Sequence, residues 1–166
     1  MSTRECPPVI GITGVKNSGK TTLMVKLIEA LSLRGLRVAS IKHDAHRFDP
    51  DVPGRDSWRH RQAGAFASAV FDADKYMLIK DEAQTIEGLL PMMGEADIVF
   101  IEGARETPYP KIEVVRQGNS SQAVTAPEQL IALATDSELA LPGVPRVDIN
   151  DVDALVTMIL NYIKKS

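Results

Sequence analysis

The run Gly14-Val15-Lys16-Asn17-Ser18-Gly19-Lys20-Thr21 fits the pattern G-x-x-x-x-G-K-[ST], and each fixed residue type in it has a chemical use. Glycine at 14 and 19 permits backbone angles and close approach that a Cβ would block. The amides from Val15 through Ser18 then turn inward around an anion, and the positive end of a following helix adds to the field. Lys20 is placed to reach the β- and γ-phosphates of a nucleoside triphosphate, and the Thr21 hydroxyl to ligate Mg²⁺. Thr22, one residue further into the helix, would donate to an α-phosphate. The competing reading is a glycine-rich turn with a capping threonine. Context favours the phosphate cradle, because a buried strand is expected before the run and an amphipathic helix after it.

Ligands in open parallel sheets gather at the carboxyl ends of the strands. Two acids stand at such ends. Glu102 directly follows the apolar run Ile98–Ile101, and Asp44 follows the strand that ends in Lys42-His43. Both are candidate Mg²⁺ ligands beside Thr21, since that ion prefers hard oxygen donors. The bland reading of each is a solvated acid at a strand end or in a loop. Asp97 precedes its strand, so it belongs at the opposite edge as a turn or cap residue. His43 and His46 have a spacing that a metal pair would accept, yet nothing completes a soft site around them. Trp58-Arg59-His60-Arg61 sets an aromatic and two cations on a short helix, either as a solvated face or as a patch for an anionic partner. Asp136 follows the apolar strand Leu130–Ala134. A carboxylate there would accept from guanine N1 and N2, which adenine cannot match, although the residues themselves leave guanine and adenine both open.

These residues need a scaffold. Val9–Thr13 reads as a buried strand and leads into the glycine turn. Leu23, Met24, Leu27, Ile28 and Leu31 then share one helical face, closed by Gly35. Arg37–Lys42 predicts a second strand. A loop over 43–54 leads to a short helix that Asp56 is expected to cap. Ala67–Phe71 and Tyr76–Lys80 predict a hairpin about a polar turn. Thr85 starts a helix that breaks near Pro91 and Gly94. Strands are expected at Ile98–Ile101, Lys111–Val115 and Leu130–Ala134, followed by a brief apolar stretch at Val147–Ile149 and a closing helix from Asp151. Alternating strand and helix predicts an α/β fold with a mostly parallel sheet, made mixed by the hairpin. With no repeat, low-complexity tract or linker in view, residues 1–166 are expected to form a single nucleotide-binding domain.

Composition narrows the function classes. The formal net charge of −3 argues against a non-specific nucleic-acid binder. Cys6 is the only cysteine, which rules out an intrachain disulfide and a Cys-based zinc site and suits a reducing compartment. No apolar run approaches the ~20 residues of a membrane span, and no signal-peptide core follows Met1. A cytoplasmic protein without membrane contact is expected.

The chain resembles the MobB family of molybdopterin-guanine dinucleotide biosynthesis adaptor proteins. The resemblance is carried by the phosphate-loop run, Ile41-Lys42-His43, Pro53-Gly54-Arg55-Asp56-Ser57, Arg61-Gln62-Ala63-Gly64-Ala65, Ile101-Glu102-Gly103, Lys111-Ile112 and Asp148-Ile149-Asn150-Asp151-Val152, which span nearly the whole chain. It implies a P-loop NTPase fold of three layers, binding of GTP with Mg²⁺, and at most weak GTPase activity in which Lys20 and Glu102 take part. It further implies a homodimer, and assistance to the guanylyltransferase that joins GMP to molybdopterin, with molybdopterin itself a candidate ligand. Thr135-Asp136 matches the family's Ser/Thr-Asp after a strand, which implies guanine as the base. Asp44 and Asp49 stand where relatives often carry histidine. The family is similar in turn to metallochaperone GTPases for nickel enzymes. Those place an acid where Glu102 lies, but their Cys or His motifs are missing here. Two other classes remain in view: a small-molecule kinase that uses the same loop with Asp44 as base, and a scaffold in which the nucleotide is structural. A kinase would need an acceptor pocket and an arginine-bearing lid.

Overall fold

Val9-Ile10-Gly11-Ile12-Thr13 is apolar or β-branched apart from its glycine, and every one of its residues is buried as strand β1 (Val9–Thr13). Such a strand needs neighbours on both edges and cover on both faces. The computed structural model, which describes residues 6–43, 48–103 and 105–165, shows how both are supplied. Along the chain follow α1 (Lys20–Ser32), β2 (Val38–Lys42), α2 (Asp56–Gln62), β3 (Ala67–Phe71), β4 (Tyr76–Lys80), α3 (Ile86–Leu89) with a 3-10 turn at Leu90–Met93, β5 (Ile98–Glu102), β6 (Lys111–Val115), β7 (Leu130–Thr135), β8 (Arg146–Asp148) and α4 (Val152–Ile163). Contacts group them into two compact units: the segments ending at His43 and starting at Ile86 form one, and the segment between them, ending at Thr85, the other.

In the first unit six strands form a sheet in the order β2-β5-β1-β6-β7-β8, each pair parallel. Its faces divide by the period of two. Ile10, Ile12, Phe100, Ile112, Val114 and Ala134 meet Leu23, Leu27 and Leu31 of α1 and Leu155, Val156 and Ile159 of α4. Val9, Ile41, Val99 and Ile101 face the other way, against Leu90, Leu89 and Ile86. Helices thus cover both faces of one sheet, the three-layer α/β architecture that the alternation of elements predicts. The α3 segment passes into a 3-10 stretch that has Pro91 in its first turn and ends at Gly94, where the break is expected. Asp97 accepts from the Arg37 amide at 2.7 Å, at the amino edge of the sheet. Asp151 caps α4 by accepting from the Ala154 amide at 3.0 Å.

The second unit holds α2 and the hairpin of β3 and β4. The hairpin forms at the expected residues, but as a two-stranded sheet of its own. Asp56 is the first residue of α2 and not its cap; Arg55 occupies that position without a side-chain hydrogen bond. Arg61 donates to Asp81 at 2.9 Å and to Asp49 at 3.1 Å, with Asp51 at 3.7 Å. Three carboxylates thus surround this guanidinium, whose side chain is only 10% exposed, so its charge is already paired and forms no open patch for anions. Ser57 adds a hydrogen bond to Asp51 at 3.0 Å. Register places Phe71 opposite Tyr76 and Leu78 opposite Ala69 on one hairpin face, and Phe71, Tyr76 and Leu78 are all exposed.

Candidate functional site

The glycine run forms a tight loop between the carboxyl end of β1 and the start of α1. Gly14 has φ 135°, and a Cβ there would lie 2.4 Å from the Val114 carbonyl oxygen and 2.8 Å from Ser18 Oγ. No other residue type fits that space. Gly19 (φ 97°) and Asn17 (φ 63°) also take left-handed conformations, which asparagine tolerates better than most residues. Helix α1 then begins at Lys20 with no side-chain cap. Its first internal bond runs from the Leu23 amide to the Gly19 carbonyl at 2.9 Å, so the amides ahead of Leu23 in the first turn have no partner within the helix. Ser18 is fully buried beneath the loop, and its Oγ has no hydrogen-bond partner among the described residues. An orphaned hydroxyl, unpaired helix-end amides and a cradle that a Cβ would fill suit an anionic group.

Lys20 curls over the loop. Its Nζ donates to the Gly14 carbonyl at 3.0 Å and the Val15 carbonyl at 2.6 Å. Burial lowers the pKa of its ammonium, and the nearby charge of Glu102 acts in the opposite direction. Glu102 is the last residue of β5 and only 9% exposed. The Thr21 hydroxyl donates to its Oε1 at 2.6 Å. Two hard oxygen donors from different elements therefore meet at one point beside the loop, a donor pair that suits Mg²⁺. Gly103 follows with φ 86°, and a Cβ there would fall 2.5 Å from the His43 carbonyl oxygen. This close approach explains why glycine must come after Glu102, and it brings the ends of β2 and β5 together. The His43 amide donates to the Glu102 carbonyl at 2.9 Å, while its imidazole is exposed. Asp44 and His46 lie outside the described residues. Thr22 is exposed on the first turn of α1.

Asp136 stands at the carboxyl end of β7, exposed, as its place in the sequence predicts. One oxygen accepts from the Gln117 amide at 2.6 Å, and the other faces Arg116 Nε at 3.5 Å. The Gln117 hydrogen bond, aided by Arg116, holds the carboxyl below its usual pKa range.

Sequence reasoning missed the two charged residues inside β6. Lys111 and Glu113 are fully buried. Lys111 Nζ donates to the carbonyls of Thr107 at 2.6 Å and Tyr109 at 2.7 Å, and burial lowers its pKa. The Glu113 carboxylate accepts from the Val124 and Thr125 amides at 2.6 and 2.9 Å. Thr125 Oγ1 in turn lies 3.0 Å from Thr13 Oγ1, directly before Gly14. These groups fasten the loops around the site. The available signal was charge at alternate positions of a strand otherwise rich in isoleucine and valine.

The family model described as Molybdopterin guanine dinucleotide synthesis protein B matches residues 9–136. The chain is 32% identical over 162 residues to a molybdopterin-guanine dinucleotide biosynthesis adapter protein of Haemophilus influenzae, covering 94% of this chain and 89% of that one. It is also 32% identical to the adapter protein of the same description from Escherichia coli, covering 99% of this chain and 98% of that one. The crystal structure of Bacillus subtilis MobB matches with a TM-score of 0.74 at 26% identity, over 91% of this chain and 97% of that one. The family match takes in the glycine loop and strands β1 through β7, and the chain belongs to the molybdopterin guanine dinucleotide synthesis protein B family.

Proposed function

We propose that this chain is a GTP-binding adapter in molybdopterin-guanine dinucleotide biosynthesis, with slow GTP hydrolysis at most, that assists the guanylyltransferase in joining GMP to molybdopterin. The reading treats residues 1–166 as one nucleotide-binding domain acting in the cytoplasm. One observation carries it: the Thr21 hydroxyl and the Glu102 carboxylate meet at 2.6 Å beside a loop that only glycine can form at position 14. The amides from Val15 through Thr22 and the Lys20 ammonium would hold the phosphates. Thr21 and Glu102 would hold Mg²⁺, which neutralises phosphate charge when bound. Asp136 would accept from the donor edge of guanine. Fast hydrolysis calls for a positioned water and extra positive charge, often an arginine from a partner. Lys20 is the cation that the loop itself supplies, which accords with slow turnover.

The test is GTP binding by calorimetry with and without Mg²⁺, in the native chain and in Glu102→Gln. The substitution keeps the shape and one acceptor but removes the charge. The gain in GTP affinity on adding Mg²⁺ is expected to fall about tenfold, the equivalent of one charged oxygen ligand. Any hydrolysis is expected to fall with it. An unchanged Mg²⁺ dependence would show that Glu102 is not a metal ligand.

The exposed hairpin face supports a homodimer. A single hairpin is marginal by itself, and its outer edges carry unpaired backbone groups. Phe71, Tyr76 and Leu78 add an apolar surface that a solvated hairpin does not need. Apposition with the same face of a second copy buries this surface with the two-fold symmetry common in homo-oligomers. Sedimentation equilibrium is expected to give a dimer at tens of micromolar and a monomer for the double variant Tyr76→Asp, Leu78→Asp. A dimer that survives both changes would put the interface elsewhere.

A further inference from the structure

The phosphate loop leaves β1, and Asp136 leaves β7, but the two strands are not neighbours: β6 runs between them. Whatever aligns a nucleobase reader with the phosphate loop must cross that gap at the carboxyl edge. The segment leaving β6 does so. Asn119 Nδ2 donates to the Lys16 carbonyl at 3.1 Å, at the crest of the phosphate loop. The Gln117 amide donates to Asp136 at 2.6 Å, and Arg116 Nε faces the other carboxylate oxygen at 3.5 Å. The same guanidinium lies 3.7 Å from where a Cβ of Gly19 would stand. The turn is itself closed, since the Asn119 and Ser120 amides donate to the Arg116 carbonyl at 3.0 and 3.2 Å, and Gly118 supplies the left-handed residue with φ 79°.

We infer that the turn 116–119 is a clasp that holds the purine-reading carboxylate of Asp136 in register with the phosphate loop, with Arg116 and Asn119 as positioning residues for guanine recognition, an inference that rests on the GTP reading above. Each carboxylate oxygen has two lone pairs. The turn engages each oxygen once and leaves the others for a ligand. Guanine presents N1–H and N2–H side by side, so the carboxylate must be held in one plane while the triphosphate is held in the loop. Misplacement by a fraction of an ångström costs little for a monodentate contact and much for a paired one.

The test measures affinities of GTP, ITP (which lacks the 2-amino group), ATP and inorganic triphosphate for the native chain, Arg116→Ala, Asn119→Ala and Arg116→Lys. Melting temperatures confirm that each variant is folded. The preference of GTP over ITP and ATP is expected to drop about fivefold or more in Arg116→Ala and in Asn119→Ala. Loss of the Arg116 charge beside Gly19, or of the Asn119 bond to the loop, lowers affinity for every phosphate ligand by a common factor, so the preference ratio against inorganic triphosphate is the readout. Arg116→Lys should recover part of the preference, because a cation still faces Asp136. A side chain that merely stabilised the fold would shift all four ligands together. Preference ratios unchanged in both alanine variants would overturn the clasp while leaving GTP binding intact. A native chain that does not prefer GTP would overturn the GTP reading, and the clasp with it.

Discussion

Lys20→Ala is expected to weaken GTP binding by at least about 2 kcal/mol, roughly thirtyfold. Among the described residues, the ammonium is the side-chain cation bonded to the loop itself, through the Gly14 and Val15 carbonyls. Its removal deletes a charge-assisted contact to phosphate and loosens the loop that supplies the amides. Burial opposes the charged form more than Glu102 favours it, so the pKa lies below its usual value and a bound anion would relieve that cost. Calorimetry of the variant against GTP and against inorganic triphosphate should show parallel losses. Unchanged GTP affinity would sink the assignment of this loop.

Gly14→Ala is expected to destabilise the fold by about 3 kcal/mol or more, with loss of nucleotide binding on top. The new methyl group would meet the Val114 carbonyl at 2.4 Å, and that carbonyl belongs to a central strand and cannot move aside. The positive φ adds its own strain. Gly143→Ala is the control, since Gly143 has φ 74° but nothing within 4 Å of its missing Cβ. There the cost should be about 1 kcal/mol, that of the conformation by itself. Urea denaturation of both variants compares a crowded positive-φ glycine with an open one. Equal losses at the two positions would mean that crowding by Val114 does not matter.

What could be read from the sequence was what short segments encode. The phosphate loop is a local pattern between a buried strand and an amphipathic helix, and it lies where that pattern puts it. Glu102 stood out because an acid after four apolar residues is anomalous. Arg61 was misread because its partners Asp49, Asp51 and Asp81 are scattered along the chain and only the fold gathers them. Asn119 with Lys16, and Glu113 with Thr125, escaped for the same reason: no periodicity records a contact made across strands. The hairpin was visible from two short strand-like runs about a polar turn, yet two such runs say nothing about which sheet they join. The Asp56 cap failed by a single position, where Arg55 holds the extended backbone that a cap residue adopts.

The central place of β1 in the sheet has a consequence for biosynthesis. β1 leaves the ribosome before its partners β5 and β6, which begin only at Ile98 and Lys111. At about 5–20 residues per second, these strands follow β1 on the order of ten seconds later. During that interval Val9–Thr13 is an unpaired apolar segment, and neither Glu102 nor the Val114 carbonyl that confines Gly14 has been made. The nascent chain thus carries its phosphate-loop residues long before it has the walls that shape them. Nucleotide can therefore assist only those folding steps that follow synthesis of β6.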